Sequence, residues 1–200
     1  MTNPFSYPSE PHRHRHGPCG YANYESYRPW LRDEFDFRCV YCLAREQWTS
    51  FKGAFALDHF NPVAISPDAR SVYENLIYCC NACNLTKGDR AVSDPLELLV
   101  SSVVSVDGDG EIRTTSNEAA SLIEQLGLDD ERLVEFRKLW IGITDLAAEF
   151  NHDLFRTLMQ FPADLPDLST LRPPEGNSRP DGVETCYFNM RLHGELPATY

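Results

Sequence analysis

Hydrophobic positions change their spacing along this chain, and the change separates two regions. From residue 116 to residue 161, apolar residues recur every three or four positions, as in amphipathic helices. Ser116 and Asn117 suit a helix N-cap and Gly127 suits a C-cap, which predicts one helix between them. A longer helix is predicted from Asp129 or Asp130 to about Asn151, with a further turn or two over 152–161.

The earlier region has shorter apolar runs. An aromatic-rich stretch predicts a helix over 29–35, with Pro29 in its first turn, where proline is tolerated. Residues 54–60 are typical of a short strand, residues 71–78 of a turn of helix, and 84–91 of a helix. This order of strand, loop and helix is compatible with a ββα arrangement.

The remaining segments contain turn and loop signals. Two β-prone runs, 98–106 and 111–115, flank Asp-Gly pairs and predict a hairpin. Prolines make 162–182 an extended connector, followed by a strand or short helix over 183–200 that docks back. The chain is therefore divided into four parts. These are 1–20, 21–95, 96–161 and 162–200.

The first 20 residues are rich in proline, histidine and arginine, which predicts a flexible segment that buries little. Three alternating histidines in it could bind a metal together with a nearby cysteine. These residues are His12, His14, His16 and Cys19. The alternative is a basic, flexible tail.

The negative charge is concentrated in the second half. The formal net charge is −12, with 10 Lys+Arg against 11 Asp+Glu in residues 1–95, and 8 against 19 in residues 96–200. Only the first half could carry a basic face for nucleic acid, and its non-specific affinity should be modest. The acidic half is interpreted as a solvated surface or as a surface for a protein partner.

The sequence shows neither a secretory signal nor a membrane-spanning run, which points to the cytoplasm. No apolar run reaches 18 residues, and the first six residues do not resemble a secretory signal. Thiols stay reduced in that compartment, so paired cysteines suggest metal binding more than disulfides.

Four of the seven cysteines form two pairs with two-residue gaps: Cys39 with Cys42, and Cys80 with Cys83. Two such knuckles predict a closed, tetrahedral and structural zinc site. The alternatives are an iron–sulfur cluster or two reduced thiol pairs. Cys79 could compete with Cys80, but only Cys80 keeps the gap. Cys19, Cys79 and Cys186 are then left as free thiols.

Polar residues between and after the knuckles form a candidate hydrolytic set. Asp58 and Asn84 offer hard oxygen ligands for a magnesium-like ion, and His59 can accept a proton from water near neutral pH. Lys87 and Arg90 would bind phosphate. Neighbouring strand residues point to opposite faces, so Asp58 and His59 can act together only if the strand twists or ends there.

Residues 37–91 resemble the HNH endonuclease family in these cysteines and polar residues, and also in Pro62. The resemblance implies an α+β fold: a ββα-metal (HNH, His-Me finger) core with a four-cysteine zinc site, flanked by helices and a C-terminal helical region. It implies that His59 is the general base and that Asn75 supports the loop and the base. Asp58 would bind a catalytic magnesium or manganese ion. Asn84 at the third family position resembles the H-N-N variant, which is also found in CRISPR effector nucleases.

A second, shorter resemblance follows the nuclease region. Residues 126–128, with Leu133, Val134 and Arg137, are similar to the nuclease subunits of Septu-type and retron-linked anti-phage systems. This resemblance implies a role in antiviral defence, with a protein partner such as an ATPase bound through the acidic half. Two further hypotheses are a nuclease that is silent until a partner delivers DNA, and a non-catalytic zinc-dependent binding module.

Overall fold

A ββα unit lies at the centre of the fold. The computed structural model describes residues 3–49 and 53–200. The other five residues, 1–2 and 50–52, lie outside that description. Strands β1 (Phe55–His59) and β2 (Leu76–Cys80) pair antiparallel, with Phe55 opposite Cys80 and His59 opposite Leu76. Helix α2 (Asn81–Lys87) follows β2 without a linker. The prediction of an α+β fold with this unit is confirmed.

The second strand corrects the prediction for residues 71–78. Only Tyr73–Asn75 forms a helical turn, a 3₁₀ turn, and β2 begins at Leu76. Four consecutive β2 residues, Leu76 to Cys79, are buried. A strand buried on both faces has no polar alternation, so its sequence resembles that of a short buried helix.

Helices surround this unit, and their capping residues match the sequence prediction. Helix α1 (Arg28–Glu34) precedes it, with a proline in its first turn. Ser116 accepts a hydrogen bond from Ala119 N–H, and Gly127 ends the same helix in the left-handed region. The other elements are α1 (Arg28–Glu34), α3 (Pro95–Leu98), β3 (Val104–Val106), β4 (Ile112–Thr114), α4 (Asn117–Leu126), α5 (Glu131–Phe150), α6 (His152–Met159), α7 (Asp181–Glu184) and α8 (Tyr187–His193). Among the described helices, none combines the length and apolar character needed to cross a membrane.

The N-terminal segment packs against the core, contrary to the expectation that it buries little. Phe5 is 1% exposed, and its ring contacts Trp48 edge-on. Buried Tyr7 donates a hydrogen bond from its hydroxyl to the Tyr41 carbonyl at 2.6 Å. One hydrophobic cluster extends from Phe5 to Cys186, so all four predicted segments contribute to a common core.

A buried arginine joins three of the outer elements. Arg137 on α5 is 1% exposed, and it donates to the Gly110 carbonyl at 2.6 Å and to the Leu128 carbonyl at 2.8 Å. Gly110 has a φ of +81°, and a Cβ there would lie 2.4 Å from the Val134 carbonyl oxygen, so only glycine allows this approach. The guanidinium therefore fixes the β3–β4 turn and the end of α4 on α5.

Replacing Arg137 with methionine should lower the free energy of unfolding by about 2–4 kcal/mol, because two buried carbonyls lose their donor. Chemical denaturation measures the change. Arg132→Met on the same helix is the matched control, since Arg132 is exposed and should change stability by only about 0.5 kcal/mol. Equal losses in the two variants would contradict the assigned role.

Candidate active site and four-cysteine cluster

The first knuckle is a tight turn before β1. Leu43 N–H donates to the Cys39 carbonyl, and Cys39 N–H donates to the Ala44 carbonyl, both at 2.9 Å. Leu43 adopts a φ of +61°, which closes the turn. Cys42 N–H donates to the Cys39 sulfur at 3.5 Å, so both sulfurs lie on one side of the turn.

The second knuckle is the start of α2. Cys80 is the N-cap of the helix, and its sulfur accepts a hydrogen bond from Cys83 N–H at 3.5 Å. The two knuckles meet, with 3.8 Å between the sulfurs of Cys42 and Cys80. All four sulfurs lie within 4.8 Å of one another.

This cluster fits a zinc ion. Burial raises the pKa of the Cys39 thiol, and hydrogen bonds with Cys42 and Cys80 raise it further. Four thiolates this close would repel one another, and a bound zinc ion offsets that cost. Cys79 is fully buried and lies outside the cluster, so it is Cys80 that the structure groups with the other three cysteines. All seven cysteines are free of disulfides.

Asp58 lies on the α2 side of β1 and is 4% exposed. Its Oδ1 accepts a hydrogen bond from Lys87 Nζ at 3.0 Å, and its Oδ2 accepts one from the Tyr41 hydroxyl at 2.5 Å. Burial raises the pKa of Tyr41, and the Asp58 charge raises it further, so the phenol remains a donor. Each carboxylate oxygen keeps a second lone pair.

His59 is the last residue of β1, so the strand ends where the sequence argument required. Its Nε2 lies 2.9 Å from the Arg70 carbonyl oxygen, and its ring contacts Tyr24 edge-on at 4.9 Å. A carbonyl can only accept a hydrogen bond, so Nε2 carries the proton. In the neutral imidazole, Nδ1 is therefore the nitrogen that can accept a proton.

Asn75 fastens the loop between the two strands. Its side chain donates to the carbonyls of Asn61 and Ala69, both at 3.1 Å, and accepts from Asn61 N–H at 2.8 Å. Ala69 precedes Arg70, whose carbonyl bonds His59. Asn75 thus holds the loop directly and acts on His59 through it.

Asn84 lies on α2, three residues before Lys87, and is half-buried. Residues with this spacing share a helix face, so Asn84 lies on the side of α2 from which Lys87 reaches Asp58. Among the described residues, its side-chain amide forms no hydrogen bond. The structure thus joins Asp58 to Lys87 directly and does not join Asn84 to either.

Lys87 and Arg90 have roles that spacing did not predict. Lys87 is 1% exposed, and its ammonium donates to Asp58 and to the His59 carbonyl, so it is not free to bind phosphate. Arg90 is exposed and donates to the carbonyls of Thr86, Lys87 and Gln125, which ties the end of α2 to α4. The phosphate-binding prediction for Lys87 is corrected because burial and pairing occupy the charge.

Sequence reasoning missed three residues that contact the site: Tyr24, Tyr41 and Arg70. Tyr41 lies inside the first knuckle, and its hydroxyl reaches Asp58. The exposed Arg70 guanidinium lies over the Tyr24 ring at 5.9 Å, and that ring contacts His59. Their positions in a knuckle, a loop and an aromatic stretch gave no chemical signal in the sequence.

Comparison with known proteins identifies the centre of this chain. Residues 39–90 match the family model described as HNH endonuclease. No curated protein matches the sequence. The matched residues include both knuckles, both strands and α2, so this part of the chain is an HNH domain, and such a domain indicates nuclease activity.

Proposed function

We propose that the HNH domain at residues 39–90 hydrolyses phosphodiester bonds of DNA with His59 as the general base. One observation carries the proposal: the Arg70 carbonyl holds Nε2–H of His59 and leaves Nδ1 to accept a proton. This arrangement fixes both the tautomer and the ring orientation. A histidine with a purely structural role would not need a second ring nitrogen left open to accept a proton.

The reaction begins when Nδ1 takes a proton from a water molecule. The water oxygen attacks phosphorus as that proton leaves, and the bond from phosphorus to the 3′ oxygen breaks. The 3′ oxygen takes a proton from solvent and His59 later returns its proton to solvent, which gives a 3′-hydroxyl and a 5′-phosphate. The imidazolium formed keeps its Nε2–H bond to Arg70, so His59 does not turn during the transfer. Asn75 keeps that carbonyl in place by holding the neighbouring peptide.

The donors present fit a hard divalent ion. Asp58 and Asn84 would hold it, because carboxylate and amide oxygens suit magnesium or manganese. When bound, such an ion supplies charge stabilisation at the reacting phosphate. Lys87 pairs with the buried Asp58 carboxylate and fixes the end of β1 through the His59 carbonyl.

Arg70 is the cation best placed for a neighbouring phosphate. Its side chain is exposed, and it belongs to the loop that carries the carbonyl partner of His59. Arg90 is exposed as well and remains a candidate. Such contacts position the strand and carry no sequence information, so we expect little base specificity.

Two matched variants separate the roles of these cations. Lys87→Met should lower the free energy of unfolding by about 3–5 kcal/mol, because it leaves the Asp58 charge buried without its partner. Arg70→Gln should leave stability nearly unchanged, weaken DNA binding, and reduce its salt slope by about one. Denaturation and salt-dependent binding of a DNA duplex measure both. A stable Lys87→Met protein with a reduced salt slope would return the phosphate role to Lys87.

Cleavage of supercoiled plasmid tests the function itself. Purified protein with magnesium or manganese should convert plasmid to nicked or linear forms, and chelation or His59→Ala should stop the conversion. Equal cleavage by wild-type and variant proteins would overturn the assigned base.

A non-catalytic, zinc-dependent binding module is the second candidate. The acidic half favours it, together with apolar side chains that α5 and α6 leave exposed: Leu139, Leu146, Phe150 and Leu154. A partner such as an ATPase could bind there, and it could equally deliver DNA to a silent nuclease. Absence of cleavage at low salt, with protein binding retained, would favour the binding module.

The defence role stays a prediction from sequence. Two of the residues on which that resemblance rests, Gly127 and Arg137, have structural roles that explain why a glycine and an arginine occur there. Gly127 ends α4 with a φ of +60°, and Arg137 is the buried donor that joins three elements. Their presence therefore does not by itself distinguish a defence nuclease from another HNH protein.

A further inference from the structure

A second group of metal-ligating side chains lies where the N-terminal segment crosses α1. His12 Nε2 is 2.9 Å from Glu34 Oε1, and His14 Nδ1 is 4.0 Å from the same oxygen. The three ligand atoms lie within 4.8 Å of one another. None of these residues belongs to the HNH match.

The two ring nitrogens are buried but lack hydrogen bonds. Neither His12 Nε2 nor His14 Nδ1 has an aligned partner among the described residues, even though Glu34 Oε1 is close to both. An imidazolium paired with a carboxylate would normally align its N–H with the oxygen.

Glu34 is held in place for this contact. Its Oε1 accepts a hydrogen bond from the backbone N–H of Arg15 at 2.7 Å. Its Oε2 accepts one from the backbone N–H of His16 at 2.9 Å and one from the Tyr73 hydroxyl at 3.0 Å. One lone pair of Oε1 thus remains for the side facing His12 and His14.

The rings are also fixed by packing. His12 stacks on Phe35 with 4.8 Å between ring centroids, and His14 lies against Tyr73 at 5.6 Å. The backbone N–H of His12 donates to the Leu96 carbonyl at 3.2 Å, which holds the segment that carries the ring. A cavity of about 80 Å³, lined by His12 and Glu34 among others, adjoins the cluster and offers room for a water molecule.

We propose that His12 Nε2, His14 Nδ1 and Glu34 Oε1 bind a second zinc ion, with water from the adjoining cavity as a fourth ligand. Two imidazoles and a carboxylate are a normal ligand set for zinc. The ion ties the N-terminal segment to α1 and neutralises the buried Glu34 charge. This site is independent of the nuclease proposal.

The ligand set differs from the one suggested by the alternating histidines. His16 Nε2 pairs with Asp33 Oδ1 at 2.9 Å in a fully buried contact. Cys19 contacts the Gly17 carbonyl through its sulfur and lies outside the cluster. The alternating spacing of the histidines brings His12 and His14 to the same site, whereas the third proposed ligand, Glu34, lies on α1.

Metal analysis of the full chain tests the proposal. Protein loaded with excess zinc and then gel-filtered should hold one zinc ion more per chain than His12→Gln/His14→Gln, whether or not zinc also occupies Asp58 and Asn84. His152→Gln/His193→Gln, which alters two exposed histidines, should hold as much zinc as the wild-type protein. Equal zinc content in all three proteins would overturn the second site and leave a simple contact between His12 and Glu34.

X-ray absorption at the zinc edge gives a second readout that needs no variant. Loaded wild-type protein should show a mixed shell, with sulfur at about 2.3 Å and nitrogen or oxygen at about 2.0–2.1 Å. A shell of sulfur alone would overturn the proposal even if the double variant failed to fold. The measurement reports the atoms bound to zinc and does not involve DNA cleavage, so failure of the nuclease proposal would leave this result unchanged.

Discussion

Replacing His59 with alanine should lower the rate of DNA cleavage by about 10²–10⁴-fold while the protein stays folded. The variant removes the nitrogen that accepts the proton of water, and the loop keeps its bonds to Asn75. The side chain is half-buried at a strand end, so little core packing is lost. Single-turnover cleavage of a labelled duplex measures the rate, and circular dichroism checks the fold.

The controls for this experiment come from the same chain. His152→Ala removes an exposed imidazole on α6 and should leave the rate unchanged. His59→Gln keeps a side chain that can still donate to the Arg70 carbonyl but offers no comparable base. If His59→Gln cleaved at the wild-type rate, the histidine would be a loop-holding residue and the base would lie elsewhere.

Loss of one ligand of the four-cysteine cluster should abolish the cooperative fold. Structural zinc contributes about 10–16 kcal/mol in small zinc-binding peptides, which exceeds the stability of a typical domain. Cys39→Ser removes a ligand and leaves three thiols, two of them buried, beside an unfilled position. We expect insoluble or unfolded protein, with no zinc held at this cluster.

Cys79→Ala is the matched control, because Cys79 is adjacent to a ligand, fully buried and outside the cluster. It should lower the free energy of unfolding by about 1 kcal/mol and keep the zinc. Thermal unfolding and metal analysis of the two variants compare them directly. If both lost the fold equally, burial rather than metal binding would explain the effect.

The ββα unit was predictable because its signals are local. Two-residue gaps between cysteines set the knuckles, and the strand ending at His59 followed from an apolar run closed by polar residues. Helices α4 and α5 followed from periodic apolar positions with capping residues. The second strand was missed because burial on both faces removes its alternation.

The sequence by itself therefore determined the two cysteine knuckles and the main helices, since each of these depends on residues a few positions apart, and it determined the HNH centre through the resemblance to a family pattern. Only the tertiary structure decided that Lys87 pairs with Asp58, that Arg70 holds His59, and that Glu34 joins His12 and His14. Those partners lie 29, 11, and 22 or 20 positions apart. Spacing along a chain carries no signal for such pairs, because packing of distant segments brings them together and sets which charges are buried.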